Sequence, residues 1–265
     1  MKRLALGSLF VVATFFVIPL GTTPLVVASS PLAIVGSDNS AVTSTNWSGY
    51  AVTGASGSIT KVNGSWIVPA VSCPASGTLY SSHWVGIDGF TSKTVEQTGT
   101  DSDCSKGVPQ YYAWYEFYPS PSHKISGMSV SPGDKIVAVV TYTSGAFYVF
   151  ITDFSTGSTF SASAKVSGAA RSSAEFIVEA PSICVLVKCK LASLANFGTV
   201  GFGYDNTGLL YTCYITKNGK AGTLGSFGSS IQEITMVDKS NLVKAQPSPI
   251  SPDGTSFTVQ WLRSS

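Results

Sequence analysis

The chain has 265 residues, with 16 Lys and Arg against 14 Asp and Glu, for a formal net charge of +2. Charged residues are only 11% of it, less than half the roughly 25% of an average soluble domain, while 44% are hydrophobic. That excludes a nucleic-acid binder, which needs clustered Lys and Arg, a disordered chain, and a multi-span membrane protein.

In chain order, Met1-Lys2-Arg3 is a positive start, and Leu4 to Leu20 follows without a charge. Val26 and Ala28 fit the −3 and −1 positions of a signal-peptidase site, which predicts a signal peptide over residues 1–28. A retained anchor ranks second, because Gly21-Thr22-Thr23-Pro24 interrupts the apolar run. Export predicts a secreted, extracellular protein, monomeric, with no stable membrane partner once the leader is removed. Residues 29–45 read as a flexible lead-in or short pro-segment, and residues 46–265 as one domain.

Short runs rich in Val, Ile, Thr, Tyr, Phe and Trp then recur between Gly, Ser, Pro and Asn. They are Lys61–Val68, Tyr80–Ile87, Tyr111–Tyr118, Lys135–Tyr142, Ala146–Phe154, Ala174–Glu179, Leu209–Thr216, Ser230–Val237 and Ser256–Leu262. Turns are signalled by Ser131-Pro132-Gly133-Asp134, Asn218-Gly219 and Pro252-Asp253-Gly254. With no helical pattern of useful length, the chain predicts an all-β antiparallel sandwich of two sheets. Five cysteines cannot all pair internally. Cys184 with Cys189 and Cys73 with Cys104 is one pairing, leaving Cys213, although spacing does not fix connectivity.

Familiar nucleophilic and metal chemistry is missing. There is no G-x-S-x-G, D-T-G, D-S-G, C-x-x-C or HExxH, so no metal site and no cofactor is expected. Of the two histidines, His123 sits in a Pro-Ser loop, and His83 reads as structural or substrate-contacting. What stands out is a set of carboxylates planted in apolar, aromatic strands. Residues two apart on a strand share a face, so Glu175, Ile177 and Glu179 lie together, as do Trp114 and Glu116. Each alone reads as a solvated strand face; together they read as the lining of a cleft.

Five stretches carry a resemblance: Asn46-Trp47-Ser48-Gly49, Trp84–Gly89, Gln97-Thr98-Gly99 with Asp101, Ala113–Pro119 and Ala174–Glu179. In order and spacing they resemble the glutamic peptidases (eqolisin or G1 family), from Asn46 to the C-terminus. The resemblance implies a concanavalin A-like sandwich and an acid-active, pepstatin-insensitive endopeptidase acting on polypeptides. It implies Glu179 as general base and Gln97 as oxyanion stabiliser, with Glu175 the rival base on the same face. Trp47, Trp84, Asp88, Asp101, Trp114 and Glu116 fall on the surrounding cleft, and Asp101 or Asp88 is expected to orient the catalytic pair.

The chain departs from the family at Ala180-Pro181, where an acidic residue often follows the base. It also lacks the cysteines with which some members join the loop after I-D-G to the segment before the catalytic strand; Thr91–Lys93 and Ala169–Arg171 stand there. The alternative function is a secreted glycan-binding or glycan-cleaving module on the same sandwich.

Overall fold

The computed structural model describes residues 25–27, 35–36, 41–185 and 188–265. The leader's charged start, its uncharged run and the cleavage position Ala28 lie outside the described residues.

Alternation along each strand builds the architecture. In the Ser173–Glu179 strand, Ala174, Phe176 and Val178 enter a large apolar core, while Ile177 packs in a separate cluster on the opposite face. Glu175 and Glu179 share that opposite face by the two-residue period. This strand is central, pairing antiparallel with Trp47–Thr53 on one side and Ser82–Ile87 on the other. The sheet extends through Val95–Ser105 to Val108–Tyr118, and at the other edge to Ile231–Val237.

A second sheet runs Thr159–Ala164, Ala146–Asp153, Lys135–Thr143, Ile59–Ile67, Thr199–Gly203 and Ser256–Trp261. Val52, Val85 and Phe176 from the first sheet and Val62, Ala138, Val149 and Phe202 from the second belong to one core. The strand ladder continues from one sheet to the other through Val243–Pro247, closing the sandwich along one side. The result is the antiparallel two-sheet sandwich that the strand pattern predicts. Phe176 is fully buried in it. Phe176→Ala is therefore expected to cost about 3–5 kcal/mol of stability, read as a lower urea midpoint.

Several local features follow the sequence closely. Asn218 and Gly219 take φ of 52° and 74° between Tyr214–Lys217 and Lys220–Thr223, the left-handed pair that a two-residue hairpin requires. Cys73 bonds Cys104 and Cys184 bonds Cys189, while Cys213 is buried and free. Gly49 has φ 141°, and a Cβ there would collide with the Phe176 carbonyl of the neighbouring strand.

Three features differ from expectation. Ala41–Ser44, placed in the flexible lead-in, forms a strand parallel to Glu233–Met236. Leu209–Thr216 is strand only from Tyr214. Before it, a helical turn at Tyr204–Thr207 ends on left-handed Gly208, and Leu210 and Tyr211 project into solvent. The strand Val95–Ser105 is eleven residues long although its sequence is mostly polar. Leu25–Val27 pairs with Ser182–Val185, just beyond the Glu179 strand. No helix among the described residues is long and apolar enough to cross a membrane.

Candidate active site

In-register antiparallel pairing lays the outer face of the first sheet out in rows. One row runs Trp47, Glu179, Ser82, Asp101, Tyr112, and the next Gly49, Ile177, Trp84, Gly99, Trp114. A third runs Ala51, Glu175, Gly86, Gln97, Glu116. Successive rows are about 6.6 Å apart, two residues along a strand. Gly99 matters in the middle row, because a Cβ there would sit 2.6 Å from the Cβ of Trp84. Trp84 in turn meets Trp47 edge-on, with ring centroids 4.9 Å apart.

Glu179 receives two N–H donors, Trp84 Nε1 to Oε2 at 3.0 Å and Asn46 Nδ2 to Oε1 at 3.4 Å. Donors of this kind stabilise negative charge on a carboxylate. Gln97 Nε2 donates to Glu116 Oε2 at 2.6 Å. Burial pushes the Glu116 carboxyl well above the usual range, the Gln97 hydrogen bond opposes that, and the Glu179 charge adds to it. The Glu179 and Gln97–Glu116 groups are thus within electrostatic reach of one another.

Glu175 has a different environment. Neither of its oxygens meets a donor in hydrogen-bonding geometry. Burial raises its carboxyl well above the usual range; the Ser173 hydroxyl opposes that, and the charges of Asp88 and Glu96 add to it. Glu175 shares the row of Gln97, but its burial disfavours the charged form.

Asp101 belongs to a cluster of its own. Tyr112 Oη donates 2.7 Å to Asp101 Oδ2 and lies 2.9 Å from Asp103 Oδ2, and the Ser81 N–H reaches Asp103 Oδ1 at 3.0 Å. Lys124 lies over the Tyr112 ring, 4.6 Å from its centroid. Burial lifts Asp101 to about 6 against hydrogen bonds from Ser82 and Tyr112; burial and the Asp101 charge lift Asp103 well above its usual range.

Asp88 corrects the expectation that it orients the catalytic pair. Its carboxylate accepts the Arg171 N–H at 2.6 Å and the Ser172 N–H at 2.9 Å. Arg171 also lies over the Tyr142 ring, 4.0 Å from its centroid. Asp88 therefore ties the loop after Ile87 to the segment before the Glu179 strand, the connection some family members make with a disulfide. His83 faces the core, edge-on to Phe197 at 5.4 Å, with neither ring nitrogen paired in good geometry. That leaves it a structural residue; burial lowers its pKa to about 3.

The alternation rule gave no warning of Asn46, Asp103 and Tyr112 as partners in this face. Nor did it warn of Glu96, whose strand neighbours Ile87 and Phe117 both belong to the sandwich core. Burial and the Asp88 charge push Glu96 up to about 9.

These protonations make stability depend on pH in one direction. A carboxyl with a raised folded pKa keeps a proton that the unfolded chain releases above about pH 4.3, so its contribution is present in acid and lost as pH rises. Glu96 alone disfavours the folded state by about 3 kcal/mol at pH 7 relative to pH 4. Buried neutral His83 acts oppositely, costing about 3 kcal/mol by pH 4 as the unfolded imidazole protonates. Asp101, Asp103, Glu116 and Glu175 join Glu96, so five carboxyls outweigh one imidazole. The thermal midpoint is expected to be higher at pH 4 than at pH 7; a calorimetric scan giving the reverse order would refute this balance.

A two-sheet sandwich with carboxyls, an amide and three tryptophans on one face has the frame of a carboxyl-dependent hydrolase. Residues 45–249 match the model of the Peptidase A4 family. The chain is 34% identical over 182 residues to aspergillopepsin-2 of Aspergillus niger, an alignment covering 60% of this chain and 62% of that protein. It is 33% identical over 205 residues to scytalidopepsin B of Scytalidium lignicola, covering 74% and 72%. The fold matches a structure of scytalido-glutamic peptidase with a transition state analog inhibitor, with TM-score 0.69 and 28% identity over 82% of this chain and 98% of that one. It also matches SCP-B, a member of the eqolisin family, in complex with the tripeptide Ala-Ile-His, with TM-score 0.65 and 27% identity over 82% and 98%. The chain belongs to the peptidase A4 family, the glutamic peptidases.

Proposed function

We propose that the chain is a secreted, acid-active glutamic endopeptidase in which Glu179 activates water and Gln97 stabilises the oxyanion. The reading is carried by the two N–H donors on Glu179, set on the same sheet face as the Gln97–Glu116 pair. Tryptophan and asparagine donors favour the ionised carboxylate that a general base requires. Glu179 takes a proton from water as the water attacks the peptide carbonyl, then returns it to the leaving nitrogen. Gln97 has two N–H bonds: one is held by Glu116, and the second, which has no partner among the described residues, is assigned to the developing oxyanion. A protonated Glu116 serves this better than an ionised one, since it anchors the amide without placing negative charge beside an oxyanion.

Histidine would be protonated and useless as a base in acid, whereas a carboxylate with a reference pKa near 4.3 still functions in mild acid. The same assignment takes residues 1–28 as an export leader, so the Leu25–Val27 strand would leave with it. Residues 29–45 would be a lead-in or short pro-segment, and 46–265 the peptidase domain, working as a monomer on polypeptides. The glycosidase reading has no support from the family match or the curated relatives, which are peptidases. The test is digestion of a denatured protein at pH 2–5 with pepstatin present. Peptide release that pepstatin does not block is the expected result, and full inhibition would overturn the assignment.

A further inference from the structure

Beyond the end of the Glu179 strand lies a cavity of about 810 Å³, with Thr45, Lys190, Leu191, Val237, Lys239 and Lys244 among its walls. Lys244 is the unusual member. It is only 3% exposed, and it points away from the sandwich core, into which its neighbour Ala245 packs. Among the described residues its ammonium makes one hydrogen bond, to the Thr45 carbonyl at 3.4 Å. An ammonium carries three donors, so two are unspent at a position where polar groups are ordinarily satisfied.

Asp238 and Ser265 also line the cavity, and both are already engaged. Asp238 is paired with Arg263 at 2.7 Å and accepts the Ser240 and Leu242 N–H groups at 2.7 and 3.0 Å. The Ser265 carbonyl oxygen takes the Arg263 Nε–H at 2.7 Å. Lys190 and Lys239 add further positive charge to the wall. The cavity also adjoins the site: Thr45 precedes Asn46, whose side chain meets Glu179 and whose carbonyl accepts the Ala180 N–H at 2.8 Å.

We infer that this cavity is a subsite for a carboxylate of the polypeptide substrate, with Lys244 donating to it. The carboxylate is either a free C-terminus or an acidic side chain, which share the chemistry. The inference rests on the peptidase reading and adds the group that the substrate presents next to the catalytic residues. Burial lowers Lys244 to about 8, with Asp238 opposing and Arg263 assisting the shift, so it stays a cation throughout the acid range. Peptide carboxylates ionise near pH 3.5–4.3. Preference for the carboxylate is therefore present from about pH 4 to about pH 8 and fades on either side.

The test uses one cleavable peptide in four forms: C-terminal acid or amide, and a Glu or Gln on the same flank. KM and kcat are measured at pH 5 for the wild type and Lys244→Met. A charge-assisted hydrogen bond predicts a preference of roughly 10-fold or more for the carboxylate form, expressed in KM rather than kcat. In Lys244→Met the ratio is expected to fall to about one, and the pair that loses its preference identifies the source of the carboxylate. An unchanged ratio in Lys244→Met, or no preference in the wild type, overturns the inference. Calorimetric titration of the acid and amide peptides into both proteins gives a readout independent of turnover. If the wild type cleaves no peptide, the peptidase reading fails, and this titration alone decides the subsite: tighter acid binding lost in Lys244→Met supports it, and equal binding overturns it.

Discussion

Glu179→Gln is expected to lower kcat by roughly 10²–10⁴-fold on a denatured protein substrate while the melting temperature stays near that of the wild type. The substitution keeps side-chain length and an oxygen that can accept the Trp84 N–H now donated at 3.0 Å. Turning the Asn46 amide to meet the new NH2 group exchanges the Ser44 hydroxyl bond that its Oδ1 accepts at 3.0 Å. What is lost is the ability to take a proton from water, so the effect falls on the chemical step. Glu175→Gln gives the contrasting case. Burial pushes that carboxyl well above the usual range, so a neutral amide in its place is expected to remove no base. A purely structural role for Glu179 would instead show as a large drop in stability with modest loss of turnover.

Gln97→Ala carries the second large effect. Loss of a preorganised oxyanion donor costs about 2.7–4 kcal/mol of barrier, or roughly 10²–10³ in kcat. KM should move little, because the donor matters only once negative charge develops on the carbonyl oxygen. The variant also strips Glu116 of its 2.6 Å partner. Because burial pushes the Glu116 carboxyl up and loss of the Gln97 hydrogen bond pushes it further, the expected penalty is that of an unpaired neutral polar group, about 1–3 kcal/mol of stability. Thermal scans beside the kinetics separate the two losses. A Gln97→Ala enzyme with near wild-type kcat would remove Gln97 from the mechanism.

Much of this arrangement was readable in the sequence, and the reasons are local. A two-residue period puts Glu175, Ile177 and Glu179 on one face whatever the strand pairs with, and Asn218-Gly219 specifies its own hairpin. The Val95–Ser105 strand was not readable in the same way, because it is flanked by strands on both sides and pairs along its full length. Its Gln, Thr, Asp and Ser residues look like a loop until neighbouring strands bury them. The Asp101–Tyr112–Asp103 cluster needs the register between two strands, which no single stretch encodes. Asp88 was misjudged because its partners are the backbone N–H groups of Arg171 and Ser172, 83 and 84 residues away.

The low charge of the chain also takes on a different meaning. Among the described residues eight acidic side chains are buried: Asp88, Glu96, Asp101, Asp103, Glu116, Asp153, Glu175 and Glu179. The scarcity of surface charge is therefore partly sequestration of carboxyls inside the sheet and on its active face. Carboxyls whose pKa burial raises are expected to make acid the favourable condition for the fold.

The most direct test is kcat/KM from pH 2 to 6 for the wild type, Glu179→Gln and Glu175→Gln on one peptide. The account predicts that Glu179→Gln is slower by at least roughly 10²-fold at every pH while Glu175→Gln keeps most of the wild-type profile. An active Glu179→Gln enzyme beside an inactive Glu175→Gln enzyme would contradict it.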